Sequence, residues 1–297
     1  MYLEINRPKH FPNFWRRYAT ALWAGWNGRE IFREVKLFTL FVGYPRSGHS
    51  MMAALLDAHP NMMFSHEVNA LRALSNGFPR LGLYGLIQQK AAAFAARGAS
   101  GLGHDVNTTY DYAVPNQWQG RYEKVLVVGD KQAPATTGWL AGDDGLLSRF
   151  SRTMGVPVRL IHMVRNPFGN ISGIFRLKEK RGMTPTLQDA IEYYFEMAGG
   201  VQKVKGYAAD QILDVYLEDL IANPQETLAR ACEFLGMPAE EGYLRDCASI
   251  LFSKPRSTVE DSGWTPEQIE QVRDRMSGIP FLSRYEVPSA LRGVLQR

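Results

Sequence analysis

A chain of 297 residues with 45% hydrophobic and 22% charged positions has the balance of a folded globule with a sizeable core, which excludes a disordered or fibrous protein. No apolar run approaches the twenty residues of a membrane-spanning helix, and the first residues, MYLEINRPKHF, lack the apolar stretch and cleavage site of a secretory leader. The net charge of +4 sits in residues 1–36, with seven basic and three acidic residues, while residues 37–297 balance at 27 against 27, so nucleic-acid binding by a broadly basic body is excluded.

In chain order, Phe11, Trp15, Tyr18, Leu22 and Trp26 recur at helical spacing, with Arg16, Arg17 and Arg29 off the stripe. Residues 1–36 therefore read as a basic, aromatic helical segment. Gly25 and Gly28 weaken a free-standing helix, so the stripe is read as core packing; the alternative is a peripheral contact with an anionic membrane surface. Next comes an apolar run (Val35, Leu37 to Leu40) leading into FVGYPRSGHS at 41–50 and then a helical pattern to His59, stopped by Pro60. The order strand, glycine turn, helix presents N–H groups to an anion. The frame is almost a Walker A loop, but His49 stands where the lysine belongs, and the positive charge lies inside the loop at Arg46.

Residues 61–64 read as a short strand, 67–74 and 81–96 as helices, and 104–120 as a surface segment. Strands follow at 124–128, ending in Gly129-Asp130-Lys131, at 158–164, ending in Arg165-Asn166-Pro167, and at 212–217, ending in Glu218-Asp219. Helices are expected at 187–208, 225–235 and 265–276, the last with Thr265 as N-cap. Cys232 and Cys247, in helical contexts, read as buried thiols in a reducing, cytoplasmic compartment; they have no metal-ligand spacing. His162, inside an apolar strand, reads as a core histidine, and His59 as a helix-end residue. Alternating strands and helices, without an internal repeat, predict one α/β domain over 1–297: a parallel sheet flanked by helices in a P-loop-like three-layer sandwich.

Ligands of such sheets bind beyond the carboxyl ends of the strands, and three of the four ends bring a cation: Arg46, Lys131 and Arg165. A triphosphate site needs a loop lysine and a magnesium carboxylate; His49 and the offset Asp130 weaken that reading. These residues resemble a family. GYPRSGHSMMAALLDAHP is similar to the 5′-phosphosulfate loop of sulfotransferases that use 3′-phosphoadenosine 5′-phosphosulfate (PAPS), closest to the arginine-type loop of the tyrosylprotein enzymes and their bacterial relatives. MVRNP, VYLEDLIANPQETLARACEFLGM and KPRSTVEDSGW extend the resemblance to about residue 275.

The resemblance implies that Arg46, Ser47, Gly48, His49 and Ser50 hold the 5′-phosphosulfate through backbone N–H groups and the guanidinium. It implies Glu67 as general base, with His66 as rival, and Lys131 on the bridging oxygen of the leaving group. Arg165 is expected on the 3′-phosphate, helped by Ser172, Lys254 and Arg256, and Tyr216 near the adenine. The family serine falls eight residues after the arginine, where this chain has Gly173, one position beyond Ser172. The implied co-substrate is PAPS, the product adenosine 3′,5′-bisphosphate, the partner a hydroxyl-bearing acceptor, with no metal and no nucleic acid. An ATP- and magnesium-dependent kinase and a catalytically silent nucleotide-binding module are the alternatives.

Overall fold

The computed structural model describes residues 14–97, 111–252 and 259–295. Five strands form one sheet: β1 (Leu37–Val42), β2 (Met62–His66), β3 (Val127–Lys131), β4 (Val158–Val164) and β5 (Ile212–Tyr216). All pairings are parallel, in the order β2-β3-β1-β4-β5, so the strand that feeds the glycine turn is central. Strands buried on both faces alternate between two cores. Phe38, Leu40 and Val42 face one, and Leu37 and Phe41 the other.

The second of these cores is closed by α2 (His49–Asp57), α10 (Pro224–Phe234) and α11 (Glu241–Ser249), which contribute Met52, Leu55, Leu228, Cys232 and Cys247. Both cysteines are buried free thiols, as the sequence implies. The first core holds side chains of α4 (Arg80–Arg97), α6 (Leu146–Met154), α7 (Pro167–Lys180), α8 (Leu187–Ala208) and α12 (Pro266–Ser277). The result is the expected three-layer α/β sandwich. Thr265 caps α12 in a reciprocal capping box with Gln268.

Three expectations need correction. The strand read at 124–128 runs instead over Val127–Lys131, and β2 extends to His66, because Ser65, Asp130 and Lys131 find polar partners inside the sheet. The helix read from Glu67 begins only at Ala70 (α3, Ala70–Ser75), leaving Glu67 in a left-handed turn with φ 62°. In α1 (Phe14–Asn27) the stripe packs only in part. Tyr18 lies against Phe78 with ring centroids 4.8 Å apart and Leu22 against Gly82, both half-buried, and Ala21, Ala24 and Gly25 are buried, while Trp15, Trp26 and, beside the stripe, Trp23 are 77%, 62% and 69% exposed.

The reason is the contact between α1 and α4. A Cβ on Gly25 would lie 1.9 Å from the Leu81 carbonyl oxygen, and one on Gly85 would lie 2.4 Å from that of Ala21. The two backbones touch through their small residues, which turns the large rings outward.

Candidate active site

The loop between β1 and α2 is fixed through its carbonyls. That of Val42 lies 3.1 Å from His49 Nε2, and that of Gly43 accepts from Thr137 Oγ1 at 3.2 Å. The Tyr44 carbonyl accepts from Ser47 Oγ at 2.9 Å, that of Pro45 from Asn170 Nδ2 at 2.7 Å, and that of Arg46 from Arg165 Nη1 at 3.0 Å. Five consecutive carbonyls thus face side chains. Of the N–H groups that follow them, that of Gly43 also bonds inward, to Thr137 Oγ1 at 2.7 Å, and Pro45 has none. Gly48 (φ 98°) is the N-cap of α2, and no side chain caps that helix, so its first-turn N–H groups are left for an anion.

His49, which stands where a Walker loop has its lysine, turns inward. Its ring is buried between Val42 and Ser47, whose Oγ is 3.0 Å from Nδ1, and burial pushes its pKa down to about 3. The neutral ring has one N–H. The Val42 carbonyl requires that proton at Nε2, which makes Nδ1 the acceptor for the Ser47 hydroxyl. His49 is therefore a strut across the loop. It cannot supply the charge of a Walker lysine, and the side chains of Ser47 and His49 are committed to the loop itself, leaving only their backbone N–H groups for a ligand.

Arg46 is exposed at the loop tip with φ 69°, its side chain against the position where a Cβ on Gly173 would lie 3.2 Å away. The glycine that departs from the family's serine thus gives room to this arginine.

On the neighbouring strand ends, Lys131 Nζ donates to Glu67 Oε1 at 2.9 Å. Lys131 is buried and Glu67 exposed. Partial desolvation of the Glu67 carboxyl against the protein works to raise its pKa, but the Lys131 ammonium outweighs this and holds it below the usual carboxylate range. Glu67 is thus a carboxylate at neutral pH. Its turn is set by Asp130, whose carboxylate accepts from Ser65 Oγ and from the backbone N–H of Val68 and Ala70 at 2.9–3.0 Å. In the sequence Asp130 stands out only as a strand end; its position directly before Lys131 is the available signal.

His66, the rival base, is stacked on Phe94 with ring centroids 3.6 Å apart, and burial lowers its pKa well below the usual value. His162 is a core residue, its Nδ1 2.9 Å from Asp214 and its ring edge-on to Tyr44 beneath the loop, and His59 Nε2 bonds the Pro238 carbonyl. Ser172 Oγ is buried and accepts from the Trp264 indole at 3.0 Å. Tyr216 ends β5 half-buried, with the Arg284 guanidinium 4.4 Å over its ring. Glu218 accepts from the Asn166 N–H and the Tyr285 hydroxyl, and Asp219 pairs with Arg284, so both carboxylates are structural. Lys254 and Arg256 lie outside the described residues.

A glycine loop heading the central strand of a parallel sheet, with a lysine and a carboxylate on the adjacent strand ends, gives the arrangement of a P-loop-like α/β fold. Residues 158–241, from β4 into the first residue of α11, match the model of the sulfotransferase family. Among solved structures the chain is similar to the sulfotransferase domain of the Synechococcus PCC 7002 olefin synthase, at 18% identity over 89% of this chain and 93% of that one, TM-score 0.44. It is also similar to mouse sulfotransferase SULT7A1 complexed with PAP, at 13% identity over 86% and 90% of the two chains, TM-score 0.49. A third is sulfotransferase STF9 from Mycobacterium avium, at 13% identity over 95% and 88%, TM-score 0.48. No curated protein sequence matches the chain.

Proposed function

We propose that this protein transfers a sulfuryl group from PAPS to a hydroxyl of its acceptor, a carbohydrate, lipid, small molecule or protein tyrosine. The observation that carries the reading is the Glu67–Lys131 pair, 2.9 Å apart at the carboxyl ends of β2 and β3, on the side of the sheet where the loop offers its N–H groups. The donor set suits the co-substrate: an uncapped helix start, an exposed guanidinium at Arg46 and a second at Arg165, with no carboxylate in the loop.

When bound, PAPS supplies a sulfuryl group activated by its 5′-phosphate. The chain's own residues do the rest. N–H groups of residues 47–50 and the Arg46 guanidinium orient the phosphosulfate, Arg165 holds the 3′-phosphate with Lys254 and Arg256, and Tyr216 lies beside the adenine. Lys131 neutralises charge on the departing bridging oxygen, and the ionised Glu67 takes the acceptor's proton as the new oxygen–sulfur bond forms. A phosphate reaching Lys131 competes with Glu67 for it, so the co-substrate itself frees the base.

The test is calorimetric and kinetic. Adenosine 3′,5′-bisphosphate binds without magnesium and ATP binds poorly; the reverse result points to a kinase. Glu67→Gln lowers turnover by about 10²–10⁴-fold while the affinity for adenosine 3′,5′-bisphosphate stays within about twofold. Unchanged turnover removes Glu67 from the chemistry. Tight binding with no sulfate transfer over a broad panel of hydroxyl acceptors supports a silent nucleotide-binding module instead.

A further inference from the structure

The outward face of α1 is the largest exposed aromatic feature of the described residues. Trp15, Trp23 and Trp26 are each more than 60% exposed, and with Ala19 they fall within about 100° of helical arc. They lie opposite the small residues Ala21, Ala24 and Gly25, so their exposure does not follow from a missing core contact; the helix is already packed on its other side.

Charge around this face is one-sided. Neither α1 nor α4 beside it contains an aspartate or glutamate, and Arg16 falls at the edge of the tryptophan arc, next to Trp23 in helical angle. Arg29 lies just beyond α1, its guanidinium 4.9 Å over the Trp26 ring and bonded to the Trp26 carbonyl. Glu30 and Glu34, in the following turns, are paired with Arg29 and Lys124 respectively. The sequence before α1 adds Arg7 and Lys9 against Glu4.

We infer that α1 seats the protein on an anionic lipid bilayer, with the three tryptophans at headgroup level and the arginines facing lipid phosphates. Tryptophan suits that depth because its ring is largely apolar and its indole N–H remains near water. Arginine pairs with phosphate through two N–H groups. A protein partner with a hydrophobic groove would be served by the rings alone; the carboxylate-free surround selects a negatively charged one. The inference is independent of the proposed chemistry, since none of these residues touches the loop or Glu67.

The experiment floats the full-length protein with extruded vesicles of phosphatidylcholine and of phosphatidylcholine mixed with phosphatidylglycerol. The expected result is binding about tenfold or more stronger to the anionic vesicles, falling as salt is raised, with a blue shift of tryptophan emission. The triple variant W15S/W23S/W26S loses binding by about tenfold or more, and Arg16→Gln by about fivefold. Circular dichroism and the affinity for adenosine 3′,5′-bisphosphate confirm that the variants fold.

Absence of binding to anionic vesicles, binding indifferent to salt, or binding retained by the folded triple variant overturns the inference. So does light scattering that shows a dimer in the wild type and a monomer in the triple variant, which would assign the face to a second copy. Should the triple variant not fold, W23S alone takes its place in the salt titration: weakened, salt-sensitive binding supports the membrane contact, and undiminished binding overturns it.

Discussion

His49 offers the sharpest test of how the loop is held. Replacing it with alanine removes two buried hydrogen bonds, to Val42 and to Ser47, each worth about 1 kcal/mol, and leaves the space of the ring partly empty. His49→Ala therefore costs about 2–4 kcal/mol of stability at neutral pH. The pH dependence is more diagnostic. The ring's pKa falls from an ordinary 6.5 to about 3 in the folded protein, because burial excludes the charged form. Below pH 6.5 the unfolded chain binds a proton that the folded chain refuses. The stability contribution is thus complete above that value and is lost as the pH falls.

Between pH 8 and pH 5 this single residue withdraws about 2 kcal/mol. His59, His66 and His162 also have lowered pKa values from burial, so the total loss is larger. The difference between the wild type and His49→Gln isolates the one ring. Urea unfolding at the two pH values should show a slope shallower by about 2 kcal/mol in the variant. Equal slopes would refute a buried neutral His49. Calorimetry adds the functional arm: affinity for adenosine 3′,5′-bisphosphate falls about tenfold in His49→Ala, because a loop without its strut must be ordered on binding.

Three further expectations concern the strand ends. Lys131→Met removes the ammonium that does most to depress the Glu67 pKa, leaving only the weaker pull of Arg181 and Lys90 against desolvation, so the acid limb of the kcat/KM profile moves to higher pH; an unmoved limb argues against Glu67 as base. Ser172→Ala unpairs the Trp264 indole, costs about 1–3 kcal/mol in urea unfolding and leaves nucleotide affinity within about twofold, whereas a phosphate-binding serine would lower affinity with little loss of stability. Asp130→Asn offers one amide oxygen where the carboxylate served three donors. It costs about 1–3 kcal/mol and reduces kcat at constant nucleotide affinity; unchanged kcat in a folded variant would detach Asp130 from the positioning of Glu67.

How far the sequence could be read depended on whether polarity marked exposure. β4 and α8 have the expected boundaries, since VRLIHMV and the seam of Ile191, Tyr194, Phe195 and Ala198 are apolar where they are buried. β2 and β3 run past their expected ends because Ser65, His66, Asp130 and Lys131 are buried polar residues, and a polar residue in sequence looks like the end of a strand. Periodicity in α1 is legible, but it cannot tell a core-facing stripe from an outward one. The backbone contact at Gly25 and Gly85, set by α4, decides that. Likewise the chain marks His49 as a loop residue, while only the fold shows its ring closing back on Val42.

The same distinction explains where the backbone is strained. Four non-glycine residues among those described have positive φ, and two of them, Asn69 and Asn116, are of the type that tolerates it. The other two are Arg46 and Glu67, the loop cation and the candidate base. A left-handed conformation at such residues costs about 1–2 kcal/mol each, so it persists only where neighbours impose it. At Arg46 the constraint is the Arg165 guanidinium on its carbonyl; at Glu67 it is the Lys131 carbonyl on its N–H and Asp130 on the two amides at Val68 and Ala70. Relaxing either turn would rotate a charged side chain without disturbing the core. The strain therefore falls where orientation matters most, and the residues that hold it, Arg165, Asp130 and Lys131, all come from the ends of the strands flanking β1. The loop and Glu67 are thus braced by these two strand ends, an arrangement suited to the in-line transfer proposed above, which needs both groups held in fixed relation.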